Sequence, residues 1–496
     1  MLLVKVDPRS RVPVYRQIIQ QISDLIEKDS LEKGTILPSS RDLAKKLGLD
    51  RTTVYRAYQE LAALGYIASR PGSYTTVRQR PKVFQNASEP EESIINWPDA
   101  LSDSSRYLSG IYQKHLAVKS LPTSDEIIDF SPLQLDSRVY PTNDFRRCLN
   151  EVLVNNGAEI LGYGDHSGYQ PLREDIARRL QIHGISITPG EILITNGAQQ
   201  AMDLVFSLFA EKGNAAAIET PTYSNAIPLL RHHKMRVLAV PVLDDGMDLR
   251  QLEKYLKYDK PAFIYTIPNF HNPTGITTSQ VHREALLSLA NTCKTPIVED
   301  GFEEEMKYFG KVVLPIKSMD THQSVIYLGT FSKVLFPGIR LGWIAANKYC
   351  IRHLAAIKRF TDLSGSTLLQ AAVSAFLRHG YYDLHIKKMH RIFRKRMQTA
   401  LNALQEHMPE NMTWTKPDGG YTIWIDLKKP YSSEESIREL LNRHEVSVSL
   451  GDMFFGGSCP HRYFRLSISS LNTEEIRAGI ARLGDALHEF NNKGSF

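Results

Sequence analysis

Lys333 is the residue in this 496-residue chain best placed for covalent chemistry. It closes the run Thr330-Phe331-Ser332-Lys333, and Arg340 follows seven residues later. A lysine amine can attack an aldehyde and hold it as a Schiff base. A guanidinium can grip a phosphate through a bidentate fork, and the Thr330 hydroxyl can add a further bond. This is the spacing of a lysine that carries pyridoxal 5'-phosphate (PLP) and of its phosphate-binding arginine. A Ser-Lys pair alone means nothing; its weight comes from five further islands in order along the chain.

The strand at 191–196 is followed by Gly197-Ala198-Gln199-Gln200, a small-residue turn that presents the backbone N–H groups of Ala198 and Gln199 at a helix start. Tyr223, in Glu219-Thr220-Pro221-Thr222-Tyr223, can stack on a pyridine ring, although a lone tyrosine is more often packing. Asn272, in Asn272-Pro273-Thr274-Gly275, can donate to the cofactor's phenolic oxygen. Asp300 ends the strand at 296–300. PLP is an electron sink only while its ring nitrogen is protonated, and a neighbouring carboxylate achieves that. Arg465, on a strand at 463–468, can clamp an amino acid's α-carboxylate. Gly419-Gly420-Tyr421 and Trp424 precede it at the distance a small C-terminal subdomain needs.

The elements that must position these residues alternate apolar strands with amphipathic helices from Asp129-Phe130 onward, the pattern of an α/β layered domain. The first eighty residues read differently. Val14, Ile18, Ile19, Ile22 and Ile26 recur at helical spacing and predict a helix over 14–28. Ser39, with Asp42 three residues on, resembles a capping box before a second helix that buries Leu43, Ala44 and Leu47. Asp50 is placed to cap a third helix over 51–64, burying Val54, Ala57, Leu61 and Leu64. Residues 66–69, the Pro71-Gly72 turn and residues 74–77 read as a β-hairpin. Three helices and a hairpin make a winged helix-turn-helix.

In that arrangement the third helix lies in the major groove with Arg51, Thr52, Thr53, Tyr55 and Arg56 toward the DNA. Ser40 and Arg41 open the second helix, where free N–H groups can hold a phosphate, and Gly72 sits in the wing. Charge agrees: the whole chain is +6, and residues 1–80 alone account for that excess. A solvated helix face would also carry arginines; helix order, turn, wing and charge together favour DNA.

Residues 81–128 read as a linker and docking arm, with breakers at Pro90-Glu91-Glu92-Ser93 and Pro122-Thr123-Ser124 around one helix marked by Leu108, Ile111, Tyr112 and Leu116. The expected division is therefore 1–80, 81–128 and 129–496, with the small subdomain from about residue 375. Four dispersed cysteines fit free thiols in a reducing cytosol rather than disulfides or a zinc site. An early charge at Lys5 speaks against a signal peptide, and no apolar run is long enough to span a bilayer. The expectation is a cytoplasmic protein with no metal and no membrane partner.

Leu37-Pro38-Ser39-Ser40-Arg41-Asp42-Leu43-Ala44, Arg51-Thr52-Thr53-Val54 and Arg70-Pro71-Gly72-Ser73 resemble the GntR family of bacterial repressors. The six islands resemble fold-type I aspartate-aminotransferase-like enzymes over roughly 125–490. The fusion is similar to MocR-type transcriptional regulators. The resemblance implies a large PLP domain, a small α+β C-terminal subdomain and a head-to-tail homodimer, in which Tyr163 reaches the partner subunit's PLP phosphate. It implies further that B6 vitamers or amino acids act as effectors, on genes of transport or metabolism. One position departs from the pattern: Phe302 stands where the group usually has a tyrosine, two residues after the aspartate. Losing that hydroxyl removes a hydrogen bond of about 1 kcal/mol, enough to disturb exchange without preventing cofactor binding.

Three functions fit. The favoured one is a regulator that binds an operator of two half-sites in double-stranded DNA and senses an amino compound or B6 vitamer through PLP held on Lys333. The rival is a working aminotransferase with a DNA-binding appendage; the plainest is a scaffold that only pairs the heads.

Overall fold

The computed structural model describes residues 4–68, 74–78, 95–119, 126–211 and 213–492. The wing turn with Gly72 and, within the linker and arm, residues 81–94 and 120–125 with Pro90-Glu91-Glu92-Ser93 and Pro122-Thr123-Ser124 lie outside the described residues. The chain forms two units, Met1–Ala100 and Leu101–Phe496.

In the first unit α1 (Val14–Glu27), α2 (Ser40–Leu47) and α3 (Arg51–Ala63) pack around Ile18, Ile22, Leu43, Val54 and Leu61. The caps read in the sequence form: Ser39 Oγ accepts the Asp42 N–H at 3.1 Å, and the Asp50 carboxylate accepts the Thr52 N–H at 2.6 Å. Asp42 answers through its side chain, accepting the Ser39 hydroxyl at 2.6 Å. α2 stops at Gly48, whose φ of +64° suits glycine. Two burial expectations are corrected. Leu64 is 45% exposed, because the helix has ended at Ala63, and Leu47 is only half-buried. Tyr58 completes the α3 core face instead, donating its hydroxyl to the Pro38 carbonyl at 2.9 Å. The wing is a three-stranded antiparallel sheet of β1 (Ile36–Leu37), β2 (Ile67–Ala68) and β3 (Thr75–Val77), in the order β1-β3-β2. Its hairpin was expected; β1 was not.

The second unit is built on an eight-stranded sheet. Its strands are β4 (Ile192–Thr195), β5 (Ala215–Thr220), β6 (Arg236–Leu243), β7 (Gly246–Met247), β8 (Phe263–Thr266), β9 (Ile297–Asp300), β10 (Val325–Thr330) and β11 (Gly342–Ala345), ordered β4-β11-β10-β9-β8-β5-β6-β7. The run β10-β9-β8-β5-β6 is parallel, while β11 is antiparallel to both its neighbours. Every residue of β4, β8, β9 and β10 is buried, as a sheet covered on both faces requires. Phe206, Phe263 and Leu328 pack on one face and Leu252, Ile264 and Val325 on the other.

The chain then builds a smaller antiparallel sheet from Thr413–Trp414, Thr422–Asp426, Tyr463–Ser467 and Ser449–Leu450, in that spatial order. Ile128–Asp129 pairs in parallel with Val446–Ser447 as a separate two-stranded sheet. The connector helix Asp103–Lys119 rests on the helix Ala226–His232, where Arg231 donates to the Tyr107 hydroxyl at 3.0 Å. Among the described residues no helix is long and apolar enough to cross a membrane.

A candidate cofactor site at the strand ends

The parallel strands all deliver their carboxyl ends to one region, where ligands of open α/β sheets bind. A cavity of about 310 Å³ lies there, at the lower end of the range for small-molecule sites. Its wall contains Ala198, Gln199, Tyr223, Asn272, Asp300, Thr330, Lys333 and Arg340, all eight same-chain cofactor residues expected from the sequence.

At the Gly197 end, α4 (Gly197–Phe209) starts without a side-chain cap, leaving its first N–H groups free toward the cavity. Gly197 has φ +80°, and a Cβ there would lie 2.9 Å from Arg340 Nη2, so only glycine lets the arginine cross the turn. Arg340 donates to the Asn196 carbonyl at 3.0 Å. The hydroxyls share this end unequally. Thr330 donates to the Leu341 carbonyl at 3.0 Å and accepts the Ser332 N–H at 3.1 Å, whereas Ser332 Oγ is buried without a partner. Ser332 is thus the free hydroxyl here. The sequence reading passed over it.

At the opposite end Asp300 is fully buried. Tyr265 donates to one of its oxygens at 2.7 Å, and the other has no partner. Burial pushes this carboxyl up to about 6, while the Tyr265 hydroxyl and the nearby Phe302 backbone N–H act against that rise. A protonated ring nitrogen would supply the missing donor, and uncapped N–H groups with a free hydroxyl would supply a phosphate's. The residues present fit PLP.

Between the ends, Lys333 Nζ donates to the Leu133 carbonyl at 2.6 Å. Burial lowers its affinity for a proton, with Arg465 and Arg340 adding to the effect and Glu303 opposing it. Asn272 Oδ1 accepts from Arg465 Nη1 at 3.1 Å. Arg465 also donates to the Ser131 carbonyl at 2.6 Å and to Ser449 at 3.0 Å, and its Nε is buried without a partner. Burial brings this guanidinium down to about 10. Tyr223 donates to Gln199 at 3.4 Å and accepts from Asn225 at 3.0 Å. Phe302 lines the cavity as an apolar wall. Glu303 is the second residue that sequence reasoning missed. It is wholly buried, neither carboxylate oxygen is in a well-formed hydrogen bond, and burial pushes its carboxyl up. Its acidity showed in the sequence, but its burial did not.

Tyr163 lies apart from this cavity and is 90% exposed. Leu161, Val154 and Phe360 are exposed apolar residues too, and His166 Nδ1 lies 2.8 Å from the Leu363 carbonyl, joining the Tyr163 loop to the end of the helix Lys348–Asp362.

In the first unit Arg41, Arg51 and Thr52 are exposed, and Ser40 and Thr53 half-buried, at the starts of α2 and α3. Arg56 is exposed but held: its guanidinium lies 4.0 Å over the Tyr15 ring and pairs with Glu60 at 3.3 Å. Gly72 lies outside the described residues.

Residues 132–483 match the model of aminotransferase class I and II, and residues 14–77 match that of the bacterial regulatory proteins of the gntR family. The uncharacterized HTH-type transcriptional regulator YisV of Bacillus subtilis is 32% identical over 477 residues, covering 95% of each chain. Aromatic-amino-acid aminotransferase 1 of Thermococcus litoralis is 34% identical over 75% of this chain and 90% of its own. Among solved structures, LysN, the α-aminoadipate aminotransferase of Thermus thermophilus complexed with N-(5'-phosphopyridoxyl)-L-leucine, is similar at a TM-score of 0.74 and 30% identity, over 80% of this chain and all of that one. PLP is the cofactor of this domain class. The chain belongs to the transcriptional regulators of MocR-like architecture, which join a gntR-family helix-turn-helix to a class I and II aminotransferase domain.

Proposed function

We propose that the protein is a DNA-binding regulator that reads an amino compound or B6 vitamer through PLP anchored on Lys333. The observation that carries this reading is the cavity itself: all eight expected residues line one space, and its buried unpaired atoms, Asp300 Oδ1 and Ser332 Oγ, face what PLP offers. When bound, the cofactor supplies an aldehyde carbon for amines and a ring that accepts electrons. The chain's own residues do the rest. Ala198, Gln199, Ser332 and Arg340 hold the phosphate, joined by Thr330 once its hydroxyl turns from the Leu341 carbonyl, Asp300 keeps a proton at the ring nitrogen, and Tyr223 covers the ring. Asn272 orients the phenolic oxygen, and Arg465 binds an effector's carboxylate.

Phe302 favours a sensor over a fast catalyst, since it fills the wall without the hydroxyl that would assist exchange. The exposed apolar set of Val154, Leu161, Tyr163 and Phe360 supports a homodimer in which Tyr163 reaches the partner subunit's phosphate group. A dimer presents two heads, which supports an operator of two half-sites. Arg41, Arg51, Arg56, Ser40, Thr52 and Thr53 form the DNA surface, and Gly72, outside the described residues, is proposed as a further DNA contact. Effector binding must favour one DNA-binding state over another to act as a switch.

The test is to incubate the purified protein with PLP, record its visible absorbance, and footprint its own promoter with and without added amino acids. A cofactor band, two protected half-sites and a footprint that changes with an amino compound are expected. Steady conversion of an amino acid and a keto acid at about 1 per second or faster would show instead a working enzyme.

A further inference from the structure

We propose that Glu303 is the counter-ion that receives the Lys333 ammonium when an incoming amine displaces it, making the displaced state a resting state rather than a step toward turnover. This rests on the reading of Lys333 as the cofactor's anchor.

Glu303 follows β9 by three residues and is completely buried, with neither carboxylate oxygen in a well-formed hydrogen bond and the Tyr421 backbone N–H acting on it as a weak donor. A buried polar group left so calls for a partner that comes and goes. The surrounding backbone is shaped to admit the carboxylate: Gly420, at φ +67°, would place a Cβ 2.6 Å from Glu303 Oε2. The same turn is tied to the lysine, since Gly420 N–H donates to the Met306 carbonyl at 2.8 Å and the Tyr421 hydroxyl to the Lys333 carbonyl at 2.7 Å.

The charged and titratable groups acting on Glu303 are Lys333, Arg465 and Asp300, with the phenols of Tyr421 and Tyr308 beside it. Those acting on Lys333 are Glu303, Arg465 and Arg340. Glu303 is therefore the anion available to a freed ammonium, whose present acceptor is the neutral Leu133 carbonyl. While Lys333 is bonded to the cofactor, burial keeps Glu303 protonated and neutral. An entering primary ammonium first gives up a proton and attacks as the free amine, the bond to Lys333 Nζ breaks as the new carbon–nitrogen double bond forms, and Lys333 leaves carrying that proton as an ammonium. One ammonium enters and one leaves, nothing is oxidised or reduced, and Glu303 ionises by releasing its proton to solvent. A lysine held as an ammonium is no longer a general base, so proton removal from the bound amino compound stalls.

The experiment uses the full-length holoprotein and methylamine, a probe without a carboxylate, so that Arg465 plays no part. Displacement is followed by the cofactor's absorbance in wild type, Glu303→Gln and Glu303→Asp, with a pH indicator recording proton release. In parallel, Lys333 of the apoprotein is acetylated with acetic anhydride across pH and quantified by peptide mass spectrometry. Glu303→Gln is expected to weaken methylamine displacement roughly tenfold, abolish proton release, and lower the acetylation midpoint by about one pH unit, with Glu303→Asp restoring part of each. Equal methylamine midpoints and equal acetylation profiles in wild type and Glu303→Gln would overturn the proposal. A wild type that takes up no PLP would overturn the anchor reading instead, while the apoprotein arm still decides whether Glu303 and Lys333 form a pair.

Discussion

Arg51 and Arg465 are the same residue in opposite physical settings. Arg51 stands exposed at the start of α3, with Arg41 exposed at the start of α2. Arg465 is buried on the strand Tyr463–Ser467 and bonded to Asn272, Ser131 and Ser449. On the proposed reading the head would bind by charge that water and salt can reach, and the body by a few desolvated groups held in place before a ligand arrives. One region should therefore answer to ionic strength and tolerate substitution, while the other should ignore salt and lose stability when altered.

The sharpest way to break that contrast is to truncate both arginines. Arg465→Ala should destabilise the body by on the order of 2–4 kcal/mol, measured by thermal melting at low and high salt alike. Asp300→Asn should weaken PLP binding by about 2–3 kcal/mol, read from absorbance titration, because the ring nitrogen loses a charged partner. Arg51→Ala should leave melting unchanged while costing about 1–3 kcal/mol of DNA affinity, with a shallower salt dependence if it contacts phosphate. Equal salt sensitivity at the two arginines would erase the distinction.

Buried acids sharpen it through pH. Burial pushes Glu299 up to about 7 from 4.5, so in the folded state it holds its proton more tightly than in the unfolded chain. Its contribution to stability is full below 4.5 and is lost as pH rises through 7. The apoprotein body should melt at lower temperature at pH 8 than at pH 5, and Glu299→Gln should flatten that slope. Phe302→Tyr is the mildest change: a restored hydroxyl, worth about 1 kcal/mol, should speed amine exchange at the cofactor without altering DNA affinity in its absence.

The two units also differ in how much their sequence disclosed. The head's helices announced themselves through local chemistry, with Ser39 and Asp50 as caps. β1 escaped notice because two residues, Ile36 and Leu37, cannot display an alternation, and Leu64 was misjudged because helical periodicity does not say where the helix ends. In the body, Asp300, Thr330 and Lys333 were legible because each sits at or just after the end of an apolar strand. Ser332 and Glu303 were not, since their importance lies in being buried without well-formed hydrogen bonds, a property of packing. Nor could spacing reveal that Ile128–Asp129 pairs with Val446–Ser447, far along the chain.

The most direct test of the whole account measures the affinity of full-length protein for its own promoter fragment, with and without PLP, in wild type and Lys333→Ala. The account predicts that PLP, or PLP with an amino compound, changes wild-type affinity and leaves Lys333→Ala unmoved. Identical responses in the two proteins would contradict it.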